Sequence, residues 1–291
     1  MNGIIVIDKP AGWTSHDVVA KLRGILKLKR IGHGGTLDPM ATGVLPVFVG
    51  RATRAAEFCE NAEKEYIAGL RLGIVTDTQD ITGKVLSEND VTVTCEDVVA
   101  SLSRFTGAQK QIPPMYSAIK KDGRKLYDLA RSGIEVPREA RDIYISSLSL
   151  EKNSPHLYTL RITCSKGTYI RTLCHDLGSV LGCGGTLSAL RRIRAGAFTI
   201  DIAHTPDAVA AAILTDSVDD VLLPVDSIFS GFPSISVCET EVRKAKNGAL
   251  CNTVANTANG KYRVYAPDGE FLLFGEVKDN KISTIKSFFE V

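Results

Sequence analysis

The chain has 291 residues, of which 44% are hydrophobic and 23% charged, and a formal net charge of +2. Such values belong to a folded protein with one large domain, or a large one and a small one, and exclude wholesale disorder. The seven cysteines are odd in number, widely spaced and without a C-x-x-C, which excludes a disulfide framework or zinc cluster and points to reduced thiols in the cytoplasm.

Residues 3–7 are an apolar run stopped by Asp-Lys-Pro-Ala-Gly, a strand and turn far too short for a signal sequence or a membrane span. Thr14 and Ser15 offer N-caps to a basic helix over 16–28; Lys21, Arg23, Lys27, Lys29 and Arg30 cluster there without an acidic neighbour. A glycine-rich loop follows over 31–43, then a buried strand over 44–49 and a helix over 51–61. Residues 64–72 alternate like a strand, and 73–83 carry turn chemistry before a short strand over 84–86. Asp77 and Asp80 lack the residue order of a calcium loop and read as a turn. A helix is predicted over 96–105.

Residues 107–137 are irregular apart from a short helix over 126–131, and Lys120, Lys121, Arg124 and Lys125 make a second basic cluster. Such a stretch reads as a projecting insertion. Strands are predicted over 143–150 and 158–165, a helix over 172–181, and a basic segment over 187–194 with Arg191, Arg192 and Arg194. The three basic clusters suit a grip on phosphates, with solvated surface as the ordinary alternative. A boundary at about 229–233 separates a domain over 1–229 from a small β domain over 230–291, with turns at Asn259-Gly260 and Asp268-Gly269.

The chain has no G-x-S-x-G, H-E-x-x-H, Walker A or G-x-G-x-x-G motif, and its five histidines make no ligand pair, so neither metal nor nucleotide chemistry is expected. What remains is Gly32-His-Gly-Gly-Thr-Leu-Asp-Pro-Met-Ala-Thr-Gly43. Its glycines permit close approach of a ligand, and an aspartate before proline is held extended, so the loop is suited to presenting Asp38. An Asx turn, with Asp38 capping its own backbone, is the alternative. At the end of a strand, Gly167-Thr-Tyr-Ile-Arg171 would point Tyr169 and Arg171 to one face, a stacking platform beside a cation able to pair with a carboxylate.

These segments resemble the motifs of the TruB-type family of bacterial tRNA pseudouridine-55 synthases. So do Asp8-Lys-Pro-Ala-Gly-Trp-Thr-Ser15, Lys64-Glu-Tyr66, the segment from Gln111 to Lys125, and Leu190-Arg-Arg-Ile-Arg-Ala-Gly-Ala-Phe198, all in the family's order; Gly34 stands where many relatives carry Thr. The resemblance implies an α+β pseudouridine synthase fold, a mixed and mostly antiparallel sheet with flanking helices, plus a small C-terminal PUA-like domain. It implies isomerisation of uridine 55 in the tRNA T loop, with no metal or cofactor, by a monomer in the cytoplasm, with a tRNA-folding role as an addition. Asp38 becomes the catalytic residue. Tyr66, Tyr169, Arg171 and Leu190 would bind a flipped base, with His33 filling the vacated space and Lys9 contacting substrate or supporting the loop. The insertion would hold the T arm. Breaking N1–C1′ and rejoining through C5 neither gains nor loses atoms, so no activated water and no second carboxylate are required. A stacked base must leave its loop first, and aromatic and apolar walls receive it.

Overall fold

The computed structural model describes residues 1–253 and 257–289. The first apolar run forms β1 (Gly3–Lys9), buried nearly throughout, and a turn leads to α1 (Ser15–Leu26). Thr14 is its N-cap: the hydroxyl accepts from the Asp17 amide while the Asp17 carboxylate accepts from the Thr14 amide. Val18, Val19 and Leu22 face the core. Instead of a loop over the whole of 31–43, the chain makes β2 (Ile31–His33), a turn-rich segment over 34–41, and then β3 (Thr42–Val49), which pairs with both β1 and β2. A 3-10 stretch (Gly50–Ala55) and α2 (Ala56–Asn61) follow.

In β4 (Lys64–Leu72), Lys64, Tyr66, Ala68, Leu70 and Leu72 are buried and the residues between them half-exposed, the period-two pattern of the sequence. β5 (Ile74–Thr76) and β6 (Val85–Glu88) make a separate hairpin ahead of α3 (Cys95–Leu102). The stretch over 107–137 is more ordered than its composition suggests. It starts with β7 (Gly107–Gln111) at the edge of the main sheet. It then runs through the short pair β8 (Lys120–Lys121) and β9 (Arg124–Lys125) into α4 (Leu126–Arg131). Met115, Leu126 and Leu129 give it a small core of its own. The long strands β10 (Arg141–Ser154) and β11 (Leu157–Cys164), helix α5 (Ile170–Val180), strands β12 (Gly185–Ala195) and β13 (Phe198–Thr199), and α6 (Pro206–Leu214) complete the body.

The main sheet runs β1-β3-β12-β4-β11-β10-β7, with β2 on β3 and β13 on β12. Its pairings are antiparallel except where β12 meets β3 in parallel, at Arg191–Thr42 and Arg192–Gly43. This is the mixed, mostly antiparallel α+β sheet that the family resemblance implies. Gly43 makes the parallel junction possible. Its φ is +100°, and a Cβ there would lie 2.2 Å from the Arg192 carbonyl oxygen.

Beyond the body, a second sheet is built from β14 (Ser234–Ser236), then, after α7 (Glu239–Lys246), β15 (Cys251–Asn252), β16 (Gly260–Tyr265), β17 (Phe271–Lys278) and β18 (Lys281–Ser287), in the order β14-β16-β17-β18-β15. The tight hairpin joins β17 to β18 through Asp279 and Asn280, both left-handed (φ 51° and 59°). Asp and Asn tolerate that region, so no glycine marks this turn in the sequence. Gly269 (φ 90°) does lie between β16 and β17, whereas Asn259 stands before β16 and its side-chain oxygen accepts from the Asp279 amide at 3.0 Å. Phe274 of this sheet and Phe288 just after β18 pack with Ile4, Val6, Phe48 and Phe229 of the body in one apolar cluster. Among the described residues, no helix is long and apolar enough to cross a membrane.

Candidate active site

Asp38 lies in the turn segment between β2 and β3, and its neighbours on both sides are tied down. The Ser15 hydroxyl accepts from the Leu37 amide at 2.9 Å, and Leu37 is buried in the core. The Pro39 carbonyl accepts from the Gly12 amide at 2.8 Å and from Lys9 Nζ at 3.3 Å. The Asp38 carbonyl accepts from the Ala41 amide at 3.0 Å, closing the turn through the backbone alone. Its carboxylate, 38% exposed, points away from the loop and meets Arg171, with Nε 2.9 Å from Oδ2. The Asx-turn alternative is thereby set aside.

Arg171 is buried and uses its whole fork. Nη1 donates to the Thr78 carbonyl at 3.1 Å and Nη2 to the Tyr116 carbonyl at 2.9 Å. Asp80 Oδ2 stands 3.9 Å from Nε. The other oxygen of Asp80 accepts from both hydroxyls of Thr78 and Thr82 and from the Thr82 amide. A turn that reads as ordinary in the sequence therefore braces the arginine that meets Asp38. One detail of the sequence reading is corrected. Gly167–Arg171 is not the extended end of a strand: β11 stops at Cys164, Tyr169 is the N-cap of α5, and Arg171 is in its first turn. Gly167 (φ 80°) turns the chain, and Gln111 clamps the Tyr169 peptide on both sides, accepting from its amide at 2.8 Å and donating to its carbonyl at 3.0 Å.

A cavity of about 330 Å³ opens in front of this pair, at the lower end of the usual range for small-molecule sites. Asp38, Tyr66, Tyr169, Arg171 and Leu190 all line it. Tyr66 comes from β4 and Leu190 from β12, neighbouring strands of the sheet. Burial raises the pKa of the Tyr66 hydroxyl, and Arg192 partly opposes that shift. Burial likewise pushes the half-buried Tyr169 phenol up.

The two remaining expected residues lie elsewhere. Lys9 is fully buried, donating to the carbonyls of Pro10, Trp13 and Pro39, and burial lowers its pKa to about 8. It supports the loop and is not part of the cavity wall. His33, on β2, packs edge-on against His16 with centroids 5.5 Å apart and is also absent from the lining.

The basic cluster at 191–194 is corrected as well. Arg191 grips both oxygens of Asp8, at 3.1 and 2.8 Å, and Arg194 pairs with Glu63 and Glu65. Arg192 is buried. Arg191 and Arg194 are paired with carboxylates and Arg192 is held by backbone carbonyls, so none of the three is the unpaired surface cation that the sequence suggests. By contrast Lys120, Arg124 and Lys125 of the insertion, and Lys21, Lys27 and Lys29 near α1, remain exposed.

Residues missed by the sequence reading are Arg192 and Lys64, which line the cavity, and Asp80 and Gln111, which position Arg171 and Tyr169. The strand alternation of 64–72 already placed Lys64 on the face of Tyr66. The other three have no local signal.

Comparison with known proteins agrees with this architecture. The solved structure described as a Cbf5-Nop10-Gar1 complex superposes with a TM-score of 0.76 at 25% identity, covering 99% of this chain and 85% of that one. An archaeal box H/ACA Nop10-Cbf5 complex gives 0.73 at 24%, a likeness of fold. Fold and cleft agree with the class that the sequence matches name, a pseudouridine synthase, which is an isomerase. Residues 23–170 match the TruB family pseudouridylate synthase N-terminal domain, and residues 171–230 the tRNA pseudouridylate synthase B C-terminal domain. The tRNA pseudouridine synthase B of Clostridium kluyveri is 42% identical over 99% of this chain and 100% of its own length. That of Pseudomonas aeruginosa is 42% identical over 96% and 93%. The chain belongs to the TruB family of pseudouridylate synthases.

Proposed function

We propose that the chain isomerises uridine 55 in the T loop of tRNA, with Asp38 as the reacting carboxylate. The observation that carries this assignment is the Asp38–Arg171 contact of 2.9 Å at the mouth of a cavity walled by Tyr66, Tyr169 and Leu190. The relatives that match along nearly their whole length carry tRNA in their names.

In this reading the target uridine leaves its stack and enters the cavity, where aromatic and apolar walls offset the unstacking. The N1–C1′ bond breaks, the uracil turns in place, and C5 bonds to C1′. The C5 proton is then lost and N1 carries one instead, so product and substrate are isomers. Arg171 holds the carboxylate of Asp38 in place. Tyr66 takes the C5 proton. The exposed lysines and arginine of the insertion and of the α1 end grip the T arm, which makes affinity fall with salt. The protein acts as a cytoplasmic monomer of two domains, 1–229 and 230–291, the second PUA-like.

Incubation with an unmodified tRNA transcript followed by carbodiimide mapping tests the position: pseudouridine is expected at 55, and a different position overturns the assignment. Asp38→Asn is expected to abolish tritium release from uracil-C5-labelled tRNA while binding persists. Appreciable release by the variant removes Asp38 from the chemistry.

A further inference from the structure

We infer that Arg192 is a positioning residue of this site, locking the Asp38 loop to the sheet and orienting the Tyr66 hydroxyl at the cavity floor. The inference rests on the proposed roles of Asp38 and Tyr66.

Arg192 heads the fully buried side chains, 1% exposed, yet no carboxylate partner is found for it among the described residues. It donates to backbone carbonyls: Nε to Val44 at 2.7 Å, Nη2 to Gly35 at 3.0 Å and Nη1 to Thr36 at 3.5 Å. Val44 belongs to β3, whereas Gly35 and Thr36 immediately precede Leu37 and Asp38. The guanidinium therefore ties the incoming arm of the loop to the sheet, as Lys9 ties the outgoing arm through Pro39. Asp38 sits between the two anchors. Gly35 has φ +95°, and a Cβ there would lie 3.7 Å from Arg192 Nη1, so the loop passes directly over the guanidinium.

Across the sheet Arg192 is in register with Tyr66, on the same face, and it interacts with the phenol. Both line the cavity. Burying a cation without a counter-carboxylate is costly, and carbonyl dipoles offset only part of that cost. A strut that only held the loop could be a neutral amide. A full positive charge beside a buried phenol does something more: it favours the ionised form and opposes the effect of burial. Arg192 thus connects the carboxylate loop and the phenol through one rigid group, from behind the reacting atoms.

The test uses the full chain with Arg192→Met, Arg192→Lys and, as control, Asp38→Asn. Arg192→Met is expected to melt cooperatively and bind tRNA transcript as the parent does. Its single-turnover tritium release should fall roughly 100-fold, the size of effect that misplacement by about 1 Å produces. Arg192→Lys should recover part of the loss. Because Arg192 favours the ionised phenol of Tyr66, the base in this reading, the ascending limb of the pH–rate profile should move to higher pH in Arg192→Met. Parental turnover by a folded Arg192→Met protein overturns the inference, as does an equal loss of binding and turnover, or an unmoved pH profile. If Arg192→Met does not fold, the neutral amide Arg192→Gln is judged by the same three measurements. Activity in Asp38→Asn defeats the underlying assignment instead; an inactive Asp38→Asn beside a fully active Arg192→Met defeats the inference alone.

Discussion

His33 has a ring nitrogen, Nδ1, buried without a hydrogen-bond partner among the described residues, and its ring stands edge-on to His16. Burial lowers its pKa below the ordinary 6.5, and His16 and Arg192 lower it further. A histidine with a depressed folded pKa binds a proton less readily when folded than when unfolded. Between the two values the unfolded state holds more protons, so stability is complete above about 6.5 and is lost as pH falls through that window. His33→Phe is expected to flatten this acid-side loss, measured as the melting temperature from pH 7 downward; an unchanged slope would assign the loss to other groups. At the residue scale the sequence was informative about identity and, apart from an Arg171 expected to pair with a carboxylate, silent about partners. Asp38 stands out because a glycine-rich loop and a following proline expose it. Lys9 looks like any lysine in a turn, and only the assembled loop surrounds it with three carbonyls.

Strand β12 shows how an element can be misjudged from its composition. Arg191, Arg192 and Arg194 look like a basic surface, but strand alternation and the bulge between Arg192 and Arg194 send them to three different environments. Arg191 faces Asp8, Arg192 the buried loop, and Arg194 both Glu65 of β4 and Glu63 just before it. Charge runs carry no information about which carboxylates a neighbouring strand will present, so this was not legible before the sheet was assembled. The parallel junction of β12 with β3 depends on Gly43. Gly43→Ala would place a methyl 2.2 Å from the Arg192 carbonyl at a φ of +100°. It is expected to destabilise by about 2 kcal/mol or more, since such strain alone costs of order 1–3 kcal/mol. Urea unfolding checks this, and a loss near zero would mean that the junction can open. Helix α5 is the opposite case. The sequence reading places it within two residues, yet the start matters: Arg171 reaches Asp38 from a first helical turn, not from a strand end.

At the scale of the molecule the two sheets are joined by aromatic packing. Phe229 stacks on Phe274 with centroids 4.2 Å apart and meets Phe58 edge-on at 5.0 Å. Phe229 is 2% exposed, so Phe229→Ala should cost about 3–5 kcal/mol. Because the cluster contains residues of both sheets, a single cooperative transition is expected to shift as a whole. Calorimetry that instead resolved two transitions, with only one moved, would show the sheets unfolding independently.

From the sequence alone came the strand over 64–72, the helix over 126–131, and the ordered motifs whose resemblance implied the family and its α+β class. These are local: alternation, caps and turn chemistry act over a few residues and survive in a linear reading. Only the tertiary structure decided which charges meet. It placed Arg171 on Asp38 with Asp80 behind it, buried Arg192 against Tyr66 and the loop, and set Lys9 and His33 outside the cavity. The reason is that a charged side chain is defined by what compensates it. Those partners arrive from strands and turns far along the chain, brought to hydrogen-bonding distance by the register of the sheet.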